Sequence, residues 1–172
     1  MEAGKEDTDS TLVSVVDENT LYEEETNRIT NALHKEIGQA SLQRKQFGDV
    51  FATEWYTVQL VEAREVNVGQ VVPNKEQFLQ IELDIANHGD EPISFSKLGH
   101  FFLFVDGSLQ ELVILDPVEL LTIDILPGEV VTAGLTFDTS RTESYSFLMY
   151  DAKRSEQAIW TVKQEEIVAH IE

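Results

Sequence analysis

From about residue 47 onward, hydrophobic and polar side chains alternate along the chain. The pattern is clearest over residues 76–87, where every second position is hydrophobic, at Leu79, Ile81, Leu83 and Ile85. Successive side chains of a strand point to opposite faces, so this segment is expected to bury one face and expose the other. Similar segments occur at 55–63, 101–105, 109–114, 130–138, 145–150 and 158–163. The alternation therefore predicts about seven β-strands.

Short turn sequences separate these predicted strands. Asp106-Gly107 is a strong β-hairpin signal, because both residues tolerate positive φ. Parallel strands would need crossover helices, and apart from a short candidate at 117–121 no helical pattern interrupts the strands. We therefore predict a mainly β protein in which residues 47–163 form an antiparallel β-sandwich.

The turn over residues 87–92 is expected to fix where one strand leaves its sheet. Asn87 can cap its own backbone, Gly89 can adopt positive φ, and Pro92 stops further pairing. The sequence 126–129 predicts a second turn, followed by a strand that buries Leu135 and Phe137.

The N-terminal part of the chain has a different pattern. Residues 1–18 are polar and acidic, which predicts a flexible leader. Residues 19–46 are predicted to be a helical segment, in which an α-helix begins near Leu21 after a Thr20/Glu23 capping box and ends at Gly38 or continues towards Lys45. Its hydrophobic residues are spaced by four or eight positions, at Leu21, Ile29, Leu33 and Ile37. The hydrophobic stripe is narrow, so this helix is expected to pack on the domain, pair with a second chain or form a partly ordered stalk. Residues 164–172 are predicted to be a tail or short helix.

The charge and composition exclude several classes of protein. Twelve basic and 32 acidic side chains give a net charge of −20, whereas nucleic-acid and anionic-lipid surfaces require clustered Lys and Arg. Disulfide scaffolds and Cys-based metal sites are excluded because the chain contains no cysteine. The chain has no apolar run long enough to span a membrane, so we expect no direct membrane insertion. A solvated acidic surface explains the charge, with a cation-rich setting or a basic partner as the alternatives.

No residue pattern points to catalysis. The four histidines, at positions 34, 88, 100 and 170, are far apart and form no metal-ligand pair. His88 and His100 are expected at a turn and at a strand end. The nucleophile motif Gly-x-Ser-x-Gly is missing. Paired carboxylates are abundant, but a sandwich without insertions rarely has the cleft that glycosidase chemistry requires. We therefore expect a protein that is not an enzyme and has no organic cofactor.

Calcium is the one ion for which the chain offers candidate ligands. Hard oxygen ligands suit Ca²⁺, and the region around the first turn could supply them from Asp84, Asn87, Asp90 and Glu91. A second region could supply them from Asp116, Glu119 and Asp124. No Asp-x-Asp-x-Asp-Gly loop is present, so the alternative is an acidic loop without a metal.

The aromatic residues indicate where the core lies. Trp160 is expected to fill the sandwich, and Trp55 to lie at a strand entrance. Alternation puts Phe102 and Phe104 on the opposite face from Phe101. One of these two sets is therefore expected to be covered by a helix or loop, or to form an exposed patch for a partner.

Three segments together resemble a bacterial family of unknown function described as telokin-like. They are NHGDEPISFS at residues 87–96, the hairpin at Asp106-Gly107, and LPGEVVTAGLTFD at residues 126–138. The resemblance implies an immunoglobulin-like fold and export, often as a lipoprotein, and it supplies no catalytic residues. A Cys that follows a signal is typical of such lipoproteins, and this chain has neither the Cys nor a signal.

The expected function is that of a non-enzymatic interaction or structural module in an extracytoplasmic setting. It would bind a protein partner, but no nucleic acid, through sheet faces or end loops, and its N-terminal helix could form a homodimer. The alternative is a calcium-binding or salt-adapted acidic stabilising domain.

Overall fold

A computed structural model describes residues 42–114 and 121–169. The strands in these residues are mostly short, and a single 3₁₀ turn follows the last of them, at Gln164–Glu166. The twelve strands are β1 (Gln43–Gln46), β2 (Val50–Ala52), β3 (Tyr56–Val66), β4 (Gln77–Asn87), β5 (Ile93–Ser96), β6 (Phe101–Val105), β7 (Ser108–Leu109), β8 (Glu111–Leu112), β9 (Thr122–Ile125), β10 (Val130–Thr139), β11 (Ser144–Asp151) and β12 (Glu156–Lys163).

These strands form two five-stranded sheets and one ribbon. The first sheet has the order β1-β12-β11-β6-β7, and the second has the order β2-β3-β4-β10-β8. The ribbon pairs β5 with β9 in antiparallel fashion. Side chains from both sheets join one hydrophobic cluster, so the two sheets form a sandwich-like arrangement. The prediction of a mainly β sandwich is confirmed.

Aromatic rings fill the interior between the sheets. Trp160 has no exposed surface, and its ring lies 6.2 Å from those of Phe51 and Phe147. The indole Nε1 of Trp160 donates a hydrogen bond of 3.0 Å to the backbone oxygen of Asp49, which satisfies its one polar group. Phe137 is buried in the same cluster, as its place in the alternating pattern predicts.

Six of the seven predicted strands are present as single strands, the seventh is divided, and the structure adds four more. Strands β1, β2, β5 and β9 were not predicted, because segments of three or four residues are too short to display a period. The segment predicted as one strand over residues 109–114 is two. The chain crosses at Gln110, so β7 pairs with β6 in the first sheet while β8 pairs with β10 in the second.

The prediction of purely antiparallel sheets is wrong at one edge. Strand β1 runs parallel to β12, with Gln43 opposite Ala158 and Gln46 opposite Thr161. The helical segment predicted to extend to residue 46 also requires correction, since its last four residues form this strand. The rest of the predicted helix, its proposed role in a homodimer and the leader lie outside the described residues.

The predicted turns have the expected chemistry with one exception. Asp106 and Gly107 have φ values of 50° and 81°, which confirms the hairpin that joins β6 to β7. Gly128 has a φ of 80°, and Glu129 N donates to Leu126 O at 3.0 Å, as a type II turn requires. The expectation of a positive φ at Gly89 is wrong, because that residue keeps an ordinary backbone conformation.

The two faces of β6 are both buried. Phe101 is 2% exposed and belongs to the interior cluster, whereas Phe102 and Phe104 lie outside that cluster and are each 7% exposed. Of the two alternatives for this strand, the exposed aromatic patch is therefore wrong.

The described end of the chain returns to the second sheet. After the 3₁₀ turn, Val168 N donates to Ala63 O at 2.8 Å, and Glu65 N donates to Val168 O at 2.9 Å. Residues 170–172 lie outside the described part. Within residues 42–114 and 121–169, no helix is both long enough and apolar enough to cross a bilayer.

Candidate functional site

One end of the sandwich carries a cleft of about 910 Å³. Its walls come from three connections: the entrance to β3, the loop after β4 and the turn between β11 and β12. The lining residues are Glu54, Trp55, His88, Gly89, Asp90, Glu91, Pro92, Ile93, Lys153, Arg154 and Ser155. The sequence did not predict this cleft, which the end loops form together.

Thr53 shapes the entrance to β3 and thereby positions Trp55. The Thr53 hydroxyl accepts hydrogen bonds from Trp55 N at 3.1 Å and from Tyr56 N at 3.0 Å. His88 N donates to Trp55 O at 2.8 Å, which attaches the loop after β4 to the same point. Side-chain hydroxyls that bond nearby backbone groups stabilise turns in this way. The backbone of Trp55 is consequently held at the cleft wall, where its side chain is half-buried.

Asn87 organises the loop after β4 as the sequence predicts. Its Oδ1 accepts a hydrogen bond of 2.8 Å from Gly89 N, so the side chain caps its own backbone. Its Nδ2 donates to Glu91 O at 2.8 Å and to Ile125 O at 2.9 Å. Asn87 is only 2% exposed, and these bonds engage both ends of its amide. The buried Asn87 side chain therefore fixes the backbone of the loop that forms this cleft wall.

A buried carboxylate supports the third wall of the cleft. Asp151 has no exposed surface, and its Oδ2 accepts hydrogen bonds from Tyr56 Oη at 2.8 Å and from Arg154 Nη1 at 3.0 Å. Burying a charge is costly unless it is paired and hydrogen-bonded, and Asp151 meets both conditions. Asp151 thus fixes the position of the basic side chain that lines the cleft.

The guanidinium group of Arg154 also lies against two aromatic rings. Its Cζ is 6.0 Å from the centre of the Trp55 ring and 5.9 Å from that of Tyr56. Its side chain is 17% exposed. These distances are within the range of cation–π attraction, so the site combines an ion pair with ring contacts.

The electrostatics at this end of the sandwich are dominated by burial and negative charge. Burial, followed by the charge and hydrogen bond of Asp151, raises the pKa of Tyr56, which keeps its hydroxyl protonated as a donor. Burial also raises the pKa of Glu156, with smaller contributions from the negative charges of Asp151 and Glu54. Burial is the largest cause of both shifts, and nearby negative charge adds to it.

The structure does not bring the four calcium candidates together. Asp84 lies three residues before the loop, on the outward face of β4, where its Oδ1 accepts a hydrogen bond of 2.6 Å from the hydroxyl of Thr132. Asn87 points inward and its amide is already engaged, while Asp90 and Glu91 line the cleft. No group of three or more His, Cys, Asp or Glu side chains is arranged for a metal anywhere in 42–114 or 121–169. The calcium site stays a prediction.

The two described histidines lie where the sequence suggested. His88 is exposed in the loop after β4 and lines the cleft. His100 immediately precedes β6, its Nδ1 accepts a hydrogen bond of 2.8 Å from Ser96 N, and its ring meets that of Phe95 edge-on at 5.3 Å. His34 and His170 lie outside the described residues.

Sequence reasoning did not find Tyr56, Asp151 or Arg154. Tyr56 and Asp151 come from strands of different sheets and meet only when the sheets pack, whereas Arg154 lies in the turn that follows Asp151. The sequence Asp151-Ala152-Lys153-Arg154 carried one local signal, an acidic residue three positions before an arginine in a turn. An ion pair at that spacing was predictable, but its contact with Tyr56 was not.

A second polar cluster lies at the other end of β11. The hydroxyl of Tyr145 donates to Ser140 O at 3.0 Å and accepts hydrogen bonds from Gln77 Nε2 at 2.7 Å and Thr142 N at 3.2 Å. Burial raises the pKa of Tyr145. Tyr145 is 1% exposed, so this cluster lies inside the domain and stabilises the approach to β11.

Solved structures with a similar fold include bacterial proteins of distant sequence. The candidate lipoprotein ycdA of Bacillus subtilis aligns with a TM-score of 0.56 at 13% identity, over 70% of this chain and 39% of the other. The yjhA protein of the same organism gives 0.50 at 16% identity, over 70% and 99%. The secreted protein MPT63 of Mycobacterium tuberculosis gives 0.51 at 12% identity, over 72% and 99%. Such low identities show the fold alone, and this chain spans about two-fifths of ycdA.

A comparison with curated proteins gives no match. The profile of one domain family, in contrast, matches residues 49–159. The matched region runs from just before β2 into β12, and it contains every residue that lines the cleft. It also covers more than half of the 172 residues. The chain therefore belongs to the family described as a domain of unknown function, DUF4352.

Proposed function

We propose that this protein is a non-enzymatic binding module that acts outside the cytoplasm and holds a protein partner in its end cleft. The observation that carries the proposal is the way the cleft is built. Trp55 and Arg154 line it: the buried Asp151 binds the Arg154 side chain, whose guanidinium group lies against the Trp55 ring, and Thr53 binds the Trp55 backbone. Side chains fixed in this way lose little conformational entropy on binding, which favours recognition.

The non-enzymatic part of the proposal rests on how the reactive groups are used. Asp151 and Tyr56 are buried and bonded to each other, so they hold the cleft in shape and do not face a substrate. Ser155 and His88 both line the cleft, but no hydrogen bond between them is found among the described residues. A nucleophile without a paired base gives little support to hydrolysis.

The fold supports the finer assignment to an immunoglobulin-like, telokin-like domain. The segments β3-β4-β10-β8 and β12-β11-β6-β7 have the neighbour relations of the ABED and GFCC′ sheets of immunoglobulin domains. The Tyr145 hydroxyl reaches back five residues to Ser140 O, as in the tyrosine corner of that fold. Such domains commonly use their end loops for binding, which is where this cleft lies.

The extracytoplasmic setting is supported by two similar structures, one described as a candidate lipoprotein and the other as secreted. Fractionation of cells that express the tagged full-length gene, with protease added to intact cells, would test this part. Loss of the tagged protein from intact cells on protease treatment is the expected result. Protection until the cells are lysed would contradict it.

Binding in the cleft is best tested by selection from a random-peptide display library against the folded chain. We expect selected peptides to bind the native protein and to lose affinity for Trp55→Ala. Val72→Ala is the matched control, because it also removes a hydrophobic side chain, 77% exposed and outside the cleft lining. Selected peptides that bind Trp55→Ala as well as they bind the native protein would contradict a partner site in the cleft.

A further inference from the structure

The charge of the cleft walls identifies the class of partner more closely, an inference that rests on the proposed function. The acidic side chains in the lining are Glu54, Asp90 and Glu91, all of them exposed, and the basic ones are Lys153 and Arg154. The charge of Arg154 is already matched by its ion pair with Asp151. Three carboxylates therefore stand against one further basic side chain, and the cleft is electronegative.

Two further features strengthen this electronegative character. Glu156 lies opposite Asp151 across β11 and β12, which adds a carboxylate beside the turn that forms one wall of the cleft. The whole chain carries a net charge of −20, which attracts cationic partners over long distances and accelerates their encounter.

The cleft also offers a ring surface that is compatible with cations. Trp55 is half-buried in the wall, and the guanidinium of Arg154 already lies 6.0 Å from the centre of its ring. Pro92 adds apolar surface to the cleft lining. An aromatic and apolar wall with carboxylates nearby suits a side chain with an aliphatic stem and a cationic head.

Size and geometry favour an organic cation over a metal ion. A volume of about 910 Å³ accommodates several side chains, far more than one ion requires. Metal ions need at least three convergent ligands, and no such group of acidic, His or Cys side chains occurs in the part of the chain that the structure describes.

We propose that the end cleft binds a basic peptide segment of a partner protein, placing an Arg or Lys side chain between the Trp55 ring and the carboxylates of Glu54 and Glu91. The segment would lie across the cleft, with its aliphatic stems against Trp55 and Pro92. Its charged groups would remain near the rim, where they pair with the exposed acids.

Nuclear magnetic resonance titration of the full ¹⁵N-labelled chain tests this proposal. The probes are acetylated and amidated heptapeptides in which three arginines, three citrullines or three glutamates alternate with glycine. The arginine peptide is expected to shift the Trp55 indole signal and the backbone signals of the 153–155 turn. The citrulline peptide has nearly the same shape without charge, so it should bind several-fold more weakly.

Matched variants separate the cleft from the general charge of the protein. Glu54→Gln combined with Glu91→Gln should raise the Kd of the arginine peptide about tenfold, as expected for two exposed ion pairs. Glu111→Gln combined with Glu165→Gln removes the same charge from exposed positions outside the cleft lining and should raise Kd about twofold at most. Equal losses of peptide affinity in the two double variants would overturn the proposal, because binding would then reflect net charge alone.

Three other results would also overturn it, and they bear differently on the proposed function. Preferential binding of the glutamate peptide at Trp55 would reverse the assigned charge but keep the cleft as a binding site. A Trp55 shift produced by calcium alone would identify a metal site instead. If no peptide shifts Trp55 and the display library yields no cleft-dependent binder, the proposed function itself fails.

Discussion

The phenolic hydroxyl of Tyr56 donates a hydrogen bond of 2.8 Å to Oδ2 of Asp151, which lies 95 positions further along the chain. Tyr56 begins β3 in the second sheet, and Asp151 ends β11 in the first sheet. Both residues have no exposed surface. This contact therefore joins the two sheets behind the cleft, and the position of Arg154 depends on it.

Removing this hydroxyl should destabilise the domain. Tyr56→Phe keeps the ring but takes a donor away from a buried carboxylate, and hydrogen bonds to charged groups contribute about 1.5–3 kcal/mol. We expect the free energy of unfolding to fall by about that amount, as measured by urea denaturation followed through tryptophan fluorescence.

A double-mutant cycle with Asp151→Asn is the control for this prediction. Because the two side chains share one contact, the double variant should lose less stability than the sum of the single variants. A coupling of about 1 kcal/mol or more is expected. If the two losses add to within about 0.5 kcal/mol, the contact is not an energetic link between the sheets.

Removing the Tyr145 hydroxyl, at the other end of β11, should also destabilise the domain. Tyr145→Phe removes the donor to Ser140 O and the acceptor of the Gln77 side-chain amide. Leaving a buried amide N–H without a partner costs about 1–3 kcal/mol. Urea denaturation should report a loss in that range. Gln77→Leu in the Tyr145→Phe background is expected to restore part of the stability, since it removes the group that was left unpaired. A further loss in that double variant would contradict this explanation.

The long strands were predictable because their periodicity reports burial directly. Strand β4 illustrates this, since each hydrophobic position in its alternating stretch is buried. Strand β1 illustrates the limit. Its four residues are all polar, and they form a strand because β12 offers an unpaired edge, which is a property of the assembled sheet. The break at Gln110 was equally hidden, because the change of sheet depends on which strands β7 and β8 find as partners in the assembled domain.

Only the local hydrogen bonds of the candidate site could be predicted from the sequence. Asn87 could be identified as a capping residue because it acts on neighbours two to four positions away. Asp151 acts on Tyr56 across the sandwich, and no local pattern records such a contact. The cleft itself arises from the relative positions of three connections that are distant in sequence, so its existence requires the folded arrangement.

Replacing Gly107 in the β6–β7 hairpin with any residue that has a side chain should lower the stability of the domain. Gly107 has a φ of 81° and open space around it, so alanine would be strained by its backbone conformation and not by a steric clash. Gly107→Ala is expected to lower the free energy of unfolding by about 1–2 kcal/mol in urea denaturation.

Gly89→Ala, in the loop after β4, is the comparison for Gly107→Ala. Gly89 lacks a positive φ, and an added Cβ would come no closer than 3.5 Å to its nearest neighbour, the Asn87 side-chain oxygen. Its stability should stay within about 0.5 kcal/mol of the native value. Equal losses at the two positions would mean that backbone conformation does not explain the cost at Gly107.

The raised pKa of Glu156 predicts a pH dependence of stability with a definite sign. Burial first, and then the charges of Asp151 and Glu54, raise this pKa above its ordinary value of 4.5. The folded protein therefore binds more protons than the unfolded chain between the two values, and the contribution of Glu156 to stability falls as the pH rises through that interval. Glu156→Gln removes the charge, so it should stabilise the protein at neutral pH, by at most about 1 kcal/mol because the side chain is partly exposed. Paired urea denaturations from about pH 4 to about pH 7 should show this gain shrinking as the pH falls.

Glu111→Gln, at an exposed position on β8, is the matched control. A Glu156→Gln variant that is less stable than the native protein at neutral pH would mean that the carboxylate is favourably placed, contrary to its crowding beside Asp151.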